Sequence, residues 1–306
     1  MKNLLVLLMC LIVLIVQGQE LNKNIQEGAE YFSKKEYDKA LKKFQKEYKM
    51  NPSIEVKFWI AHTYAEMKEI AKAKPLFLEI IKSDHEGSEI EMSLVNLGNC
   101  YVTLKQADSA HYFYDRAINE YPQMSSSYFN KGQLLYTESR FEEAKQNFDK
   151  AIELKSNDWF YYQKRLEVCF ASQDYECALK DLIKVKELNP KLKYEMNLAY
   201  CYSMLERYQE ADSVFQLIYD DNDDFFLNNY GMNLFNLGRI KEGKENIMKS
   251  LSINPNNSFA YRNLAVIAFA EDDKSKACEY LKKAKSLGFE QYYGKEVNEL
   301  LLKSCN

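Results

Sequence analysis

NLGNCYVTLKQADSAHYFYDRAINEYP, residues 96–122, decides the fold. Its first six residues invite a chemical reading. Cys100 follows Gly98-Asn99 and precedes Tyr101, with His111 downstream, which are the residue types of a thiol nucleophile and its base. The segment that follows, YFNKGQLLYTESRFEEAKQNFDKAIELKS at 128–156, gives the stretch another meaning. Gly98 aligns with Gly132, Ala110 with Ala144, Tyr114 with Phe148 and Ala117 with Ala151, every pair 34 residues apart. Self-similarity at a fixed period of this size marks a repeat array.

The register extends in both directions. A first small position holds Gly28, Ala61, Gly98, Gly132, Leu166, Ala199, Gly231 and Ala265, at gaps of 33, 37, 34, 34, 33, 32 and 34. Twelve residues later stand Ala40, Ala73, Ala110, Ala144, Ala178, Ala211, Gly243 and Ala277. Four further on, a bulky place holds Phe44, Phe77, Tyr114, Phe148, Leu182, Phe215, Ile247 and Leu281. Pro52, Pro122, Pro190 and Pro255 fall where second helices must stop. Small residues let two antiparallel helices approach closely, and the nearby ring fills the space beside the crossing.

Small-small-large-small spacing on a 34-residue period resembles the tetratricopeptide repeat (TPR), a helix–turn–helix unit. The resemblance covers about eight repeats over 21–290. It implies an all-α, right-handed superhelical α-solenoid, with a C-terminal capping helix in 291–306. Val297, Leu300 and Leu301 form its apolar stripe at i, i+3 and i+4. Such a cap covers the last face of an array whose units cannot bury their apolar surface alone. Repeat 5 departs with Arg165-Leu166, and repeat 7 with Gly243 and Ser250. The glycine is expected to weaken its helix by up to about 1 kcal/mol relative to alanine. The 37-residue gap puts extra loop at 83–88.

Composition narrows the function. The 306 residues are 46% hydrophobic and 28% charged, with only ten Gly and five Pro, which suits helices over strands and turns. A net charge of −4 with no basic block argues against nucleic-acid binding. The N-terminus stands apart: Lys2 precedes an apolar run at 4–16, too short for a membrane span and of signal-peptide length. Residues 1–18 are therefore expected to be a signal peptide cleaved near Gly18-Gln19, leaving no stable membrane insertion, with an uncleaved anchor as the alternative. Cys10 does not suit lipid attachment, because bulky Leu8-Met9 stand where small residues are needed. The exported chain would be periplasmic or associated with the cell envelope, with secretion as a further destination.

No catalytic site, metal site or cofactor is expected. Cys100 lies beside the tyrosine place of its repeat, Cys201 at the same place in repeat 6, and Cys169 at the tyrosine place of repeat 5, all packing positions. The run DDNDDFF at 220–226 lacks the glycine and the twelfth-place glutamate of a calcium loop, and reads as helix-capping aspartates. His62, His85 and His111 show no ligand spacing. Six cysteines remain after residue 18. If the capping helix packs on the last repeat, as the resemblance implies, Cys278 and Cys305 are the pair that could form a disulfide.

What remains is surface. In the family resembled, ligands lie in a concave groove lined by places 2, 5, 9 and 12 of each first helix. Of the 32 residues at those places only Glu55, Glu167, Lys193 and Arg262 are charged. The candidate partner-binding residues are Phe58, His62, Asn99, Phe129, Gln133, Tyr136, Phe160, Gln163, Phe170, Tyr200, Asn228, Phe235, Arg262 and Phe269. Their aromatic and amide character suits a peptide or helical segment of a protein partner, and not the lysine-rich carboxylate clamp of chaperone-binding TPR proteins. The expected function is a non-catalytic protein-interaction scaffold. Self-association without a dedicated peptide ligand is the second reading.

Overall fold

A computed structural model describes residues 23–84 and 87–305. The expected signal peptide, Cys10 and His85 lie outside them. Among the described residues there are eighteen helices and no strand. Eight helix pairs follow one another: α1 (Lys23–Ser33) with α2 (Tyr37–Met50), α3 (Ile54–Glu66) with α4 (Ile70–Ile81), α5 (Ser88–Thr103) with α6 (Ala107–Glu120), and α7 (Ser125–Thr137) with α8 (Phe141–Leu154). Then come α9 (Trp159–Ala171) with α10 (Tyr175–Leu188), α11 (Glu195–Met204) with α12 (Tyr208–Leu217), α13 (Asp224–Asn236) with α14 (Ile240–Ile253), and α15 (Ser258–Ala270) with α16 (Lys274–Ser286). A short α17 (Phe289–Tyr293) and α18 (Glu296–Ser304) complete the chain. The fold is an α-solenoid of helical repeats, the class that the sequence pattern implied. The described residues form two compact units, divided between Lys164 and Arg165.

Each pair closes through one turn chemistry. The residue fifteenth in the repeat has positive φ in all eight pairs: Lys35, Lys68, Lys105, Ser139, Gln173, Glu206, Gly238 and Asp272. Its N–H and that of the next residue bond back into the first helix, as in Lys105 N–H to Val102 O at 2.9 Å and Gln106 N–H to Tyr101 O at 2.9 Å. This is the Schellman end, which satisfies carbonyls that the helix terminus would leave unpaired. Glycine usually occupies the left-handed position, yet seven of the eight are other residues, so this turn carries little sequence signature.

In the first unit the crossing works as the pattern requires. Ala40, Ala73, Ala110 and Ala144 are fully buried, and Phe44, Phe77, Tyr114 and Phe148 fill the space beside them. A Cβ built on Gly98 would lie 2.3 Å from the Tyr114 ring, so glycine is needed for that close approach. In the second unit, Leu166 packs on Leu182 in place of a small residue on a ring, which keeps the volume roughly constant.

Repeat 7 differs from expectation. A Cβ on Gly243 would sit 2.5 Å from the Gly231 carbonyl oxygen, and one on Gly231 would sit 2.7 Å from the Gly243 oxygen. Two glycines bring α13 and α14 into backbone contact, with Ile247 rather than a ring alongside. Gly243 is therefore a packing requirement, not the weakening inferred from helix propensity. Ser250, at an alanine place, is fully buried and donates to Asp224 O at 2.8 Å.

At the C-terminal end, α18 packs Val297, Leu300 and Leu301 against Ala265, Ala277 and Leu281. Phe289 of α17 is buried and stacks on Phe259 at 6.0 Å. Gly243→Ala separates the two views of repeat 7. Propensity favours alanine by about 1 kcal/mol, but the backbone clash costs about 1–3 kcal/mol and should dominate. The urea midpoint of the variant should fall; a rise would return Gly243 to being a helix weakener.

Candidate functional site

The surroundings of Cys100 are those of a packing residue. Cys100 is buried, and that burial pushes its thiol up to about 11. At neutral pH it is a protonated packing group. Cys201 is likewise buried and pushed up to about 12. His111 does have an orienting carboxylate, which sequence reading missed because it belongs to the next repeat. Its Nε2 lies 3.0 Å from both carboxylate oxygens of Glu138. That pair ties α6 to the end of α7 and involves no thiol.

Among the candidate groove residues of the first unit, two classes emerge. Phe58 and Phe129 are buried and correct the expectation for them: they pack between helices and offer no surface to a partner. Phe129 stacks on Tyr161 at 4.5 Å and lies 5.4 Å from Phe160. Asn99 is half-buried, but its Oδ1 accepts the hydroxyl of buried Tyr114 at 2.6 Å, so it satisfies a core polar group. His62, Gln133, Tyr136, Phe160 and Gln163 are half-buried. The amides of Gln133 and Gln163 make no hydrogen bond among the described residues. Tyr136 lies beside Phe141 at 5.8 Å, and Phe160 beside Trp159 at 5.9 Å.

His62 has a distinct environment. Its ring stacks between Phe32 at 5.0 Å and Phe58 at 5.7 Å. Nδ1 is buried with no hydrogen-bond partner among the described residues. Burial holds the imidazole below its ordinary value, outweighing the Glu66 charge and the Asn96 hydrogen bond, which favour the protonated form.

The second unit shows the same division. Asn228 is buried and its Oδ1 accepts from Asn263 Nδ2 at 3.0 Å, so it bridges two first helices and is not a surface residue. Arg262 is committed to the cap: Nε donates to Glu296 Oε1 at 3.0 Å, and Nη1 to Asn263 Oδ1 at 2.9 Å. Both were misassigned because their partners lie a full repeat or more away in sequence. Phe170, Tyr200, Phe235 and Phe269 are half-buried. Tyr200 lies 6.4 Å from Phe170 and 5.9 Å from Tyr175, forming an aromatic cluster with a member that the sequence reading missed. Phe269 borders an open depression of 280 Å³ with Asp272, Lys274, Lys303 and Ser304.

Two disulfides lie in this unit. Cys278 of α16 and Cys305 after α18 are bonded, with Cα atoms 5.6 Å apart. Cys169 of α9 and Cys177 of α10 are bonded at a Cα separation of 5.8 Å, a pairing not anticipated. Their places, 11 and 19 of the repeat, offered a signal. In repeats 1 and 2 the same places bring Lys39 over Tyr31 at 5.4 Å and Lys72 over Tyr64 at 5.2 Å. Loop closure alone makes the longer bridge worth about 3.5 kcal/mol and the shorter about 2.5 kcal/mol. Asp181 sits near both Cys169 and Cys177, giving three donors within 4.8 Å. The thiols are spent on each other, however, and both Asp181 oxygens accept from Arg165, at 2.9 Å and 2.5 Å. This donor set suits an ion pair beside a bridge better than a metal. The acidic run at 220–226 likewise serves the fold: Asp223 caps α13 by accepting from Phe225 and Phe226 N–H.

Comparisons with known proteins find similarity to tetratricopeptide repeats. Models of the tetratricopeptide repeat match residues 92–123, 125–158 and 226–257, so these segments are similar to tetratricopeptide repeats. Stress-induced-phosphoprotein 1 of Caenorhabditis elegans is 30% identical over 125 residues, covering 34% of this chain. The match spans only 39% of that relative's length. Among solved structures, a tetratricopeptide repeat protein from Parabacteroides merdae ATCC 43184 is 18% identical at a TM-score of 0.49, covering 83% of this chain and 99% of its own. YrrB, a TPR protein described as having an unusual peptide-binding site, is 23% identical at a TM-score of 0.42, covering 61% and 98%. Proteins built of such repeats are generally non-catalytic scaffolds that bind protein or peptide partners. No helix among the described residues is long and apolar enough to cross a membrane.

The buried imidazole gives a pH signature with a definite sign. The unfolded chain takes up a proton at His62 near 6.5, while the folded chain resists it. Stability from this group is present above 6.5 and is lost as pH falls below it. His62→Phe, which keeps a ring between Phe32 and Phe58, should flatten the stability profile between about pH 7 and 5. A profile unchanged by the substitution would contradict the assignment.

Proposed function

We propose that the protein is a non-catalytic scaffold that holds a weakly charged, apolar segment of a protein partner on the first-helix faces of its repeats. The observation carrying this reading is one set of side chains: half-buried Tyr136, Phe160, Phe170, Tyr200, Phe235 and Phe269, with the amides of Gln133 and Gln163, which have no hydrogen-bond partner among the described residues. Half-buried rings contribute contact area at low entropic cost, and free amides can fix a peptide backbone. Among the charged residues on these faces, Arg262 is neutralised by Glu296, which leaves little to attract a strongly charged ligand.

The working place we propose is the cell envelope, reached through cleavage of the N-terminal segment. The signal-like composition of residues 1–18 supports export, and two disulfides suit an oxidising compartment. A second reading, self-association, is favoured by exposed Leu217, Phe225 and Met248 in the second unit. Sedimentation across a concentration series distinguishes them, since a partner-binding monomer keeps its size.

Changing Tyr136, Phe170 and Phe235 together to alanine should reduce partner recovery at least about tenfold in cross-linked affinity capture from the cell envelope, with helicity retained. Undiminished capture would overturn the groove assignment.

A further inference from the structure

Repeat 5 makes covalent a contact that other repeats leave reversible. At places 11 and 19, where repeats 1 and 2 set a lysine over a tyrosine, it carries the Cys169–Cys177 bridge. Phe170 follows the first cysteine directly, and Tyr175 precedes the second by two residues. Those two rings are the ones that contact Tyr200 of α11. The bridge therefore holds the two ends of the hairpin from which the aromatic cluster projects.

The rest of the hairpin is closed without the bridge. Gln173 N–H bonds to Phe170 O at 3.1 Å and Asp174 N–H to Cys169 O at 2.8 Å. Asp174 also caps α10 by accepting from Cys177 N–H at 3.0 Å. One turn beyond each cysteine, away from the turn, Arg165 and Asp181 join α9 to α10. Breaking the bridge thus leaves the helix pair assembled and frees mainly the segment carrying Phe170 and Tyr175. A covalent link that closes so short a loop acts locally more than globally.

We propose that Cys169–Cys177 is a redox latch. The bridged form holds the Phe170–Tyr175–Tyr200 cluster in order, and reduction by a thiol loosens it while the repeat stays folded. The consequence for ligand capture, tighter in the oxidised protein, rests on the groove reading above. Cys177 is half-buried and Cys169 fully buried, so an incoming thiolate attacks the Cys177 sulfur. The S–S bond breaks, a mixed disulfide forms at Cys177, and Cys169 leaves as a thiolate that takes up a proton. A second thiol attacks the mixed disulfide at the sulfur of the first. It releases Cys177 as its thiol and carries away the two-electron oxidised product, the disulfide of the attacking thiols.

The test uses the full mature chain as isolated, after dithiothreitol, and as the C169A/C177A and C278A/C305A variants. Tyr200 nitration by tetranitromethane and amide exchange over 195–204 are read by mass spectrometry, with far-UV circular dichroism as the fold control. Reduction or C169A/C177A should raise both rates roughly fivefold or more with helicity unchanged, as expected of local opening, and C278A/C305A should not. Equal Tyr200 reactivity in bridged and reduced protein would overturn the latch. So would loss of helicity on dithiothreitol treatment of the C278A/C305A variant, which would make the bridge a global staple, or free thiols at both positions in protein isolated without reductant. If C169A/C177A does not fold, the dithiothreitol arm decides alone. These readouts need no partner, so failure of the groove assignment leaves them interpretable.

Discussion

Close helix crossing is the constraint on which the rest of the molecule depends. Every pair but that of repeat 5 meets where one small residue faces another, and the volume left beside that contact is filled four residues later. Glycine at the first place goes with Phe44, Tyr114 and Phe148, a bulkier Leu166 with Leu182, and a glycine pair with Ile247. Core volume is conserved by trading size between two places, the kind of exchange that close-packed interiors tolerate. Once that crossing is set, the same turn recurs and each first helix presents the same face.

That explains why the fold was legible in one sequence. The crossing residues recur at fixed offsets, and any break in the register would leave rings without space. The turn was not legible, because seven of eight left-handed positions lack glycine, and the Schellman hydrogen bonds that stabilise them involve backbone alone. Propensity misjudged Gly243 for a related reason. It counts a residue's own helix and cannot see the carbonyl of Gly231 across the crossing.

The candidate site was legible only in part. A helical wheel says which face a residue occupies, but not whether a neighbouring repeat covers it. Phe58 and Phe129 share the face and are buried, while Tyr136 and Phe170 share it and remain half-buried. Polar residues were harder still, since Asn99, Asn228 and Arg262 found partners 15, 35 and 34 residues away. Most buried hydrogen-bonding groups are satisfied somewhere, and in a repeat protein the next helix is the nearest source. What remains half-buried is a set of rings, with two amides that have no hydrogen-bond partner among the described residues.

The account turns on which helix face meets the partner. A photo-reactive phenylalanine analogue placed at Gln133, on the first-helix face, can be compared in cells with one at Gln146, exposed on the second helix of the same repeat. Cross-linked polypeptide recovered from the Gln133 position and not from Gln146 is the predicted result. Adducts from Gln146 alone would place the partner on the opposite face and contradict the account.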